Sequence, residues 1–266
     1  MFKKSLLLIV SVLFCFCSSC AVNPISGEGR LMLLSEEQDL AIGRQYSREI
    51  EKEMGGAIPD TVLQNYINGV GRKLGVVSHR SDLEYHFTAL EDKTVNAFAL
   101  PGGYIFITRG MLERFETESQ LAAIMSHEIV HVVARHASEA MSREIGIDVL
   151  LSLVVPEDTS KGVLTTVDIT RQIIGLRYSR GDEREGDIAG MDYMVQAGYD
   201  PYGMVETMEM LERQEKVRGT DFLSTHPSPE NRVSYLTKNI EARYPVVSGL
   251  RIGKEDYSRN VLSRLR

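Results

Sequence analysis

Cysteine is scarce in this 266-residue sequence, and its three copies all lie within the first 20 residues. If that segment is removed on export, the rest of the chain cannot form an intramolecular disulfide. The sequence also lacks any apolar run of the roughly 20 residues that a membrane helix needs, which excludes a polytopic membrane protein. Positive charge is in deficit, since the net charge is −7. The sequence also has no cluster of basic residues with aromatic residues between them, the pattern typical of nucleic-acid binding. We therefore expect no nucleic-acid partner.

The remaining composition is that of an ordinary globular protein, with 43% hydrophobic and 25% charged residues. A chain of this length can bury a substantial core without cross-links. It can form one large domain or two small ones.

Residues 1–19 have the pattern of an export signal: two lysines, a short apolar run and small residues before Cys20. Ser18-Ser19-Cys20 resembles the processing site of bacterial lipoproteins, with Cys20 as the residue that carries the lipid. The alternative is simple cleavage near Ala21 without a lipid. Alanine after Cys20 resembles the sorting rule for the outer membrane. We expect residues 1–19 to be the signal, residues 20–34 a tether and extended segment, and the protein to be lipid-anchored in the cell envelope at the outer membrane, facing the periplasm.

The hydrophobic pattern predicts two helices followed by a small sheet. Ser35-Glu36-Glu37-Gln38 is a capping box that predicts a helix to about Met54, and Pro59-Asp60 opens a second helix. Alternating apolar residues over 83–89 predict a strand with one buried face. Two more strands, over 95–100 and 104–108, are joined at Pro101-Gly102-Gly103 and predict a hairpin.

A second capping box, at residues 117–120, starts the helix that carries the chemistry. It contains His127, Glu128 and His131 in an H-E-x-x-H sequence. Two imidazoles four residues apart project from one helix face and can share a tetrahedral zinc, while Glu128 lies beside them. The alternative is a buried polar helix face, which the start signal and the apolar residues around the motif disfavour.

A catalytic zinc usually has three protein ligands and one open position, so the motif requires a further donor. Position 137, where one large family of such enzymes has a third histidine, is alanine. We interpret His136 as a solvated or capping histidine near the helix end. Glu183 and Asp187 lie four apart at the start of a later helix, where one can bind the metal and the other orient a ligating imidazole. The alternative is a solvated, charged helix start.

Five further motifs surround these residues in a fixed order, and together they suggest a family. They are Asn23-Pro24, Ser35-Glu36-Glu37-Gln38, the segment 96–103, Tyr178-Ser179-Arg180, and Thr225-His226-Pro227-Ser228-Pro229. With the H-E-x-x-H helix and the E-x-x-x-D pair, they resemble the HtpX- and BepA-like zinc metallopeptidases, gluzincins related to the CAAX prenyl proteases. Residue 186 is Gly where this family often has Ala, a change we expect to be harmless. Neither long hydrophobic segments nor helical repeats follow the resembling region.

The resemblance implies an α+β, zincin-like fold, mostly helical, with a three- to four-stranded sheet beside the H-E-x-x-H helix. The metallopeptidase domain would span residues 35–244, followed by a tail over 245–266. One Zn²⁺ per chain would be held by His127, His131 and Glu183, with Asp187 orienting His127 and Glu128 as general base. His226 has three possible roles: donor to the oxyanion, reversible ligand at the open position of the metal, or simple loop anchor.

The resemblance further implies an endopeptidase that cleaves misfolded or stalled periplasmic and outer-membrane proteins. Asn96, Ala97 and Phe98 would bind substrate if their strand lies at a sheet edge, where an extended peptide can pair as an added strand. A competing interpretation is a non-proteolytic assembly factor with a permanently closed zinc site; a weaker one is hydrolysis of a non-peptide bond. The intact Glu128 favours the protease. We expect the apolar runs over 145–155 and 163–176 to be core helices or a lid, and the tail to lie on the surface.

Overall fold

The protein is described here from a computed structural model, in which residues 20–144, 166–218, 220–229 and 231–266 are described. Its strands are β1 (Cys20–Val22), β2 (Gly29–Leu31), β3 (His86–Leu90), β4 (Ala97–Leu100) and β5 (Tyr104–Thr108). Its helices are α1 (Glu36–Glu53), α2 (Thr61–Gly75), α3 (Arg109–Leu112), α4 (Glu118–Val133), α5 (His136–Glu144), α6 (Thr166–Ile174), α7 (Arg180–Gln196), α8 (Tyr202–Arg218), α9 (Asp221–Thr225), α10 (Arg232–Arg243) and α11 (Lys254–Tyr257), with a π-helical turn at Ser258–Leu262.

Local start signals set where the main helices begin, as predicted. The Ser35 hydroxyl accepts from the backbone of Gln38, whose side chain accepts in return from the backbone of Ser35. Thr117 and Gln120 form the same reciprocal pair at the start of α4. A third capping box, between Ser179 and Asp182, begins α7. Each box satisfies two amide groups that the first helical turn leaves without partners.

The sheet beside α4 has the strand order β3-β5-β4, with β3 parallel to β5 and β4 antiparallel to it. A small sheet ending in a hairpin was predicted and is confirmed. Its first strand begins at His86 rather than 83, because Leu83 closes a turn onto the carbonyl of Arg80. The strand β4 begins two residues late, because the amide of Asn96 donates to the Thr108 hydroxyl. A separate antiparallel ribbon pairs β1 with β2.

Two apolar clusters lie on opposite faces of this sheet. Ala97 and Ala99 of β4 belong to the larger cluster around α4. Phe98 belongs to the smaller cluster, where its ring lies 5.3 Å from that of Phe106. Every residue of α4 is buried, as expected for a helix enclosed on all sides. The H-E-x-x-H helix therefore crosses the interior of the protein.

The C-terminal tail lies mostly on the surface, as we expected, but it is anchored to the interior at a few residues. Tyr257 and Val261 are fully buried in the larger cluster, and Arg251 makes two hydrogen bonds, of 2.9 and 2.7 Å, to the Glu118 carboxylate. Glu118 also accepts from the hydroxyls of Tyr66 and Tyr199. The tail therefore fixes the first turn of α4.

The second expected apolar run is helical in its described part, α6, and Ile173 lies in the smaller cluster. The first, over 145–155, lies outside the described residues, as does the signal over 1–19. In the part of the chain that is described, no helix combines the length and the hydropathy needed to cross a bilayer.

Candidate metal centre

Four potential metal ligands converge where α4, α7 and the residue after α9 meet: His127, His131, Glu183 and His226. The Nε2 atoms of His127 and His131 lie 2.9 Å apart. The two Glu183 oxygens lie 3.4 Å from Nε2 of His127 and 3.5 Å from Nε2 of His131. All four side chains are almost wholly buried. The structure therefore brings together the three residues that were predicted as ligands, with His226 as a fourth.

The donor set fits a zinc ion. Zinc holds imidazole nitrogen and carboxylate oxygen at about 2.0–2.2 Å, so two tetrahedral ligand atoms lie roughly 3.3–3.5 Å apart. In the structure, the ligand atoms of His127, His131 and Glu183 lie 2.9–3.5 Å apart, a range that includes this spacing. When the Nδ1 atoms of His127 and His131 carry the protons and donate to Asp187 and His136, both Nε2 atoms carry lone pairs that face each other, an arrangement that a bound cation stabilises. Imidazole and carboxylate ligands together suit zinc.

The charges around the cluster favour a cation. Burial alone would lower the pKa of His127, but the carboxylates of Glu183 and Asp187 outweigh it and raise that pKa to about 9. Burial and the neighbouring charge of His127 hold the pKa of His131 well below its ordinary value. The pKa of Glu183 is lowered, because His226 and His127 outweigh the effect of burial. The two buried carboxylates, Glu183 and Asp187, thus favour a positive charge among the ligand side chains.

Asp187 lies behind His127, where its Oδ1 is 3.1 Å from Nδ1 of the imidazole. Two residues that sequence reasoning missed hold this carboxylate. Arg232 donates to both Asp187 oxygens at 2.8 and 2.7 Å, and Tyr235 donates to Oδ2. Arg232 also reaches Glu183 at 3.3 Å. Its burial, at 1% exposed, cannot be inferred from a sequence in which it looks like an ordinary basic residue at a helix start.

Gly186 allows α7 to approach α4 at the metal centre. A Cβ at this position would lie 2.8 Å from His127 Cε1 and 2.9 Å from its Nδ1. We expected Gly in place of the family's Ala to be harmless, and nothing in the structure contradicts this. The reverse change is different, because the imidazole occupies the space that an alanine methyl group needs.

His136 is not the solvated or capping side chain we expected. It is 1% exposed, and its Nδ1 lies 2.8 Å from Nδ1 of His131. The expectation failed because Arg135 takes a positive φ of 57°, which ends α4 and turns His136 back toward it.

Glu128 and His226 face each other across the cluster. Glu128 Oε1 lies 3.6 Å from His226 Nε2, and His226 Nδ1 lies 2.9 Å from Glu183 Oε1. Both Glu128 oxygens and His226 Nε2 are buried without a hydrogen-bond partner. Burial raises the pKa of Glu128. Buried polar atoms left unpaired are costly, and they commonly mark a site built for a ligand or reaction.

The strand β4 lies at one edge of the described sheet, so that no described strand pairs with its other side. Asn96 precedes it, is 4% exposed, and has an unpartnered Oδ1. A cavity of about 360 Å³ opens beside Asn96 and extends to Thr225, the neighbour of His226. Of the three residues predicted to bind substrate, Asn96 therefore lines a cavity.

Comparison with known proteins agrees with this geometry. The sequence profile of peptidase family M48 matches residues 61–240, which include the whole cluster. The chain belongs to peptidase family M48. The resemblance read from the motifs is thereby confirmed at the level of the family.

Two known proteins are similar to this chain over most of its length. The beta-barrel assembly-enhancing protease of Escherichia coli K12 is 30% identical over 246 residues, covering 87% of this chain and 50% of the relative. The mitochondrial metalloendopeptidase OMA1 of Schizosaccharomyces pombe is 30% identical over 217 residues, covering 79% of this chain and 63% of the relative. The chain therefore spans about half the length of its bacterial relative.

Proposed function

We propose that this protein is a zinc-dependent endopeptidase. The observation that carries the proposal is the buried convergence of His127, His131 and Glu183, with Glu128 beside them. Membership of family M48 and the names of the two relatives support the same activity. Bound zinc supplies a Lewis acid that activates water and polarises the scissile carbonyl.

Glu128 is the general base. Its two oxygens have no partner in the described structure, so they are free to accept a proton from the attacking water and pass it to the leaving amine. A raised pKa brings this carboxyl closer to neutral pH, where a base that must also act as an acid is most effective. Asp187 holds the imidazole of His127 in one orientation, and Arg232 holds Asp187 in turn.

Substrate would bind as an extended chain along β4. Peptides that add to a sheet edge are held through backbone hydrogen bonds, which suits unfolded segments of many sequences. Asn96 offers an unpaired Oδ1 to a substrate amide, and Ala97 and Phe98 continue the same strand edge. The cavity beside Asn96 gives space for side chains of the bound peptide.

The proposed location is the bacterial cell envelope, with a lipid on Cys20 that anchors the protein to the outer membrane. The signal-like residues 1–19 and the name of the Escherichia coli relative support this location. The proposed substrates are misfolded or misassembled envelope proteins. Labelling with a radioactive fatty acid in cells, with Cys20→Ser as control, tests the anchor; label retained by Cys20→Ser would contradict it.

The position of His226 supports a second candidate function, which we call the latched factor: a non-proteolytic assembly factor in which His226 closes the metal site. Its ring lies inside the ligand cluster and can either stabilise an oxyanion or occupy the open metal position. His226→Ala should lower activity in the first case and raise basal activity in the second. Unchanged activity would reject both roles.

The decisive experiment is cleavage of casein, an unfolded protein, by purified residues 20–266. We expect cleavage that disappears on chelation and in Glu128→Gln, while Glu128→Gln keeps its zinc. Cleavage that survives Glu128→Gln would reject Glu128 as the base. Bound zinc without cleavage would favour the latched factor, with His226→Ala as the variant that should restore activity.

A further inference from the structure

A row of four buried or nearly buried side chains leads away from the metal centre behind His131. His131 Nδ1 lies 2.8 Å from His136 Nδ1, and His136 Nε2 lies 2.9 Å from Glu185 Oε2. Asn23, from the turn between β1 and β2, donates its Nδ2 to the same Glu185 oxygen at 2.8 Å. We call these residues, His131, His136, Glu185 and Asn23, the support row.

The direction of each hydrogen bond in the support row follows from its first member. An imidazole that binds a metal through Nε2 carries its proton on Nδ1. His131 therefore donates, and His136 Nδ1 accepts. A neutral His136 then has its own proton on Nε2, which donates to the Glu185 carboxylate. Every donor meets an acceptor, and no residue needs to change its charge.

The other ligating histidine is supported in a different way. His127 Nδ1 faces the Asp187 carboxylate directly, at 3.1 Å. Metal-binding histidines usually donate their second nitrogen to a carboxylate or carbonyl, which fixes the ring and raises its basicity. In the support row His136 takes the place of that acceptor, and Glu185 stands one residue further out.

The backbone is bent at Arg135 to bring His136 into this position. Five residues along an uninterrupted helix turn a side chain by about 140° from the first one, so His136 would otherwise point away from His131. The left-handed conformation of Arg135 costs about 1 kcal/mol. Asp39 stabilises the bend by accepting from Arg135 Nε at 2.6 Å and from the Ser138 hydroxyl at 2.7 Å.

We propose that His136 is a positioning residue for the metal ligand His131, and that Glu185 fixes the tautomer in which His136 accepts. The N-terminal ribbon contributes through Asn23, so a segment outside the matched family region takes part in holding the metal. The inference rests on the proposed function in one respect, that His131 binds zinc. The ring of Tyr178 stacks on the imidazole of His131, with the two ring centroids 4.0 Å apart. This contact limits how the imidazole can turn when the hydrogen bond to His136 is lost.

Two substitutions at position 136 separate the hydrogen bond from simple packing. His136→Phe keeps a buried ring but removes the acceptor, and we expect zinc affinity to fall about 10- to 100-fold. His136→Asn places an amide oxygen near the position of Nδ1, and we expect it to recover most of that loss. Affinity is measured by competition with a chromophoric chelator, and circular dichroism of the zinc-free proteins checks that each variant folds.

Ser142→Ala is the matched control for the N-terminal segment, because Ser142 contacts that segment but no member of the support row. Its hydroxyl accepts from the amide of Leu33 at 3.0 Å and donates to the carbonyl of Ser138 at 2.7 Å. Arg30 is not a suitable control, because it lies 3.6 Å from the Glu185 carboxylate. We expect the zinc affinity of Ser142→Ala to stay within about twofold of wild type. If His136→Phe does not fold, Glu185→Leu replaces it, because leucine offers no acceptor to His136, and we expect zinc affinity to fall by about 10-fold.

Zinc affinity of His136→Phe within twofold of wild type would overturn the proposal, as would an equal loss in Ser142→Ala or no recovery in His136→Asn. If Glu185→Leu is used instead of His136→Phe, unchanged zinc affinity overturns the proposal. The proposed function has a separate test. If the wild type binds zinc but cleaves nothing, the proposed endopeptidase activity is contradicted, while the zinc affinities still test the role of His136. Wild type that binds no zinc overturns both.

Discussion

Gly186 lies so close to His127 that one added methyl group should disturb the metal centre. In Gly186→Ala the new Cβ would lie 2.8 Å from the imidazole Cε1, well inside van der Waals contact. The ring has little freedom to move, because it is fully buried and bonded to Asp187. Either the imidazole turns or α7 moves away from α4, and both changes displace a metal ligand.

The expected free-energy change combines two opposite effects. Replacing Gly by Ala inside a helix stabilises by about 0.5–1 kcal/mol, because the unfolded chain loses freedom. Extra volume in a packed interior costs about 1–3 kcal/mol. Gly69 is a matched control, because it lies exposed within α2 and nothing lies within 4 Å of its added Cβ. Gly69→Ala should stabilise, whereas Gly186→Ala should destabilise by up to about 2 kcal/mol.

Urea unfolding of both variants, with and without zinc, measures this difference, and chelator competition measures zinc affinity. Gly186→Ala should bind zinc more weakly than wild type, and Gly69→Ala should bind it equally well. If Gly186→Ala is stabilised as much as Gly69→Ala and keeps wild-type zinc affinity, the contact does not constrain His127 and the reasoning is refuted.

Four further predictions concern the tail, the buried Glu118, the carboxylate behind His127, and the metal. Arg251→Met removes both bonds to buried Glu118 and should cost about 2 kcal/mol in urea unfolding at pH 7; a loss below about 0.5 kcal/mol would contradict the role of the tail. Burial raises the pKa of Glu118, but hydrogen bonds from Arg251, Tyr66 and Tyr199 outweigh it, so the pKa in the folded protein is lowered. The ionised Glu118 therefore stabilises the folded state fully at pH values above its ordinary pKa of about 4.3. This stabilisation is lost as the pH falls through the lowered pKa of the folded state. The stability gap between wild type and Glu118→Gln should therefore narrow below about pH 4; a constant gap would refute it. Asp187→Asn should weaken zinc binding about 10- to 100-fold in chelator competition, and unchanged affinity would refute its orienting role. Removing zinc should lower the melting temperature, because the ion binds only the folded state; an unchanged value would show that the described cluster does not hold it.

Sequence reasoning predicted the features that depend on neighbours along the chain. The capping boxes at Ser35 and Thr117 act within four residues, so their helices could be placed from sequence. The spacing of His127 and His131 on one helix likewise fixes their relative geometry. Period-two alternation located the first strand of the sheet. A local turn at Leu83 makes β3 begin three residues later than predicted, and the bond from Asn96 to the Thr108 hydroxyl makes β4 begin two residues later.

Contacts between distant residues could not be predicted in this way. Arg232 is buried only because two carboxylates on another helix face it, and nothing in its local sequence signals them. His136 carries no local sign that Arg135 bends the backbone, since that conformation depends on Asp39, about 100 residues earlier. The tail was correctly predicted to lie on the surface, but the ion pair between Arg251 and the buried Glu118 could not be predicted from the local sequence.

The metal content of the purified, folded protein tests the central claim most directly. Elemental analysis of residues 20–266 should find one zinc per chain, and His131→Ala and Glu183→Gln should each lose it while they remain folded. Folded wild type without zinc, or full zinc content in both variants, would contradict the metal centre proposed here.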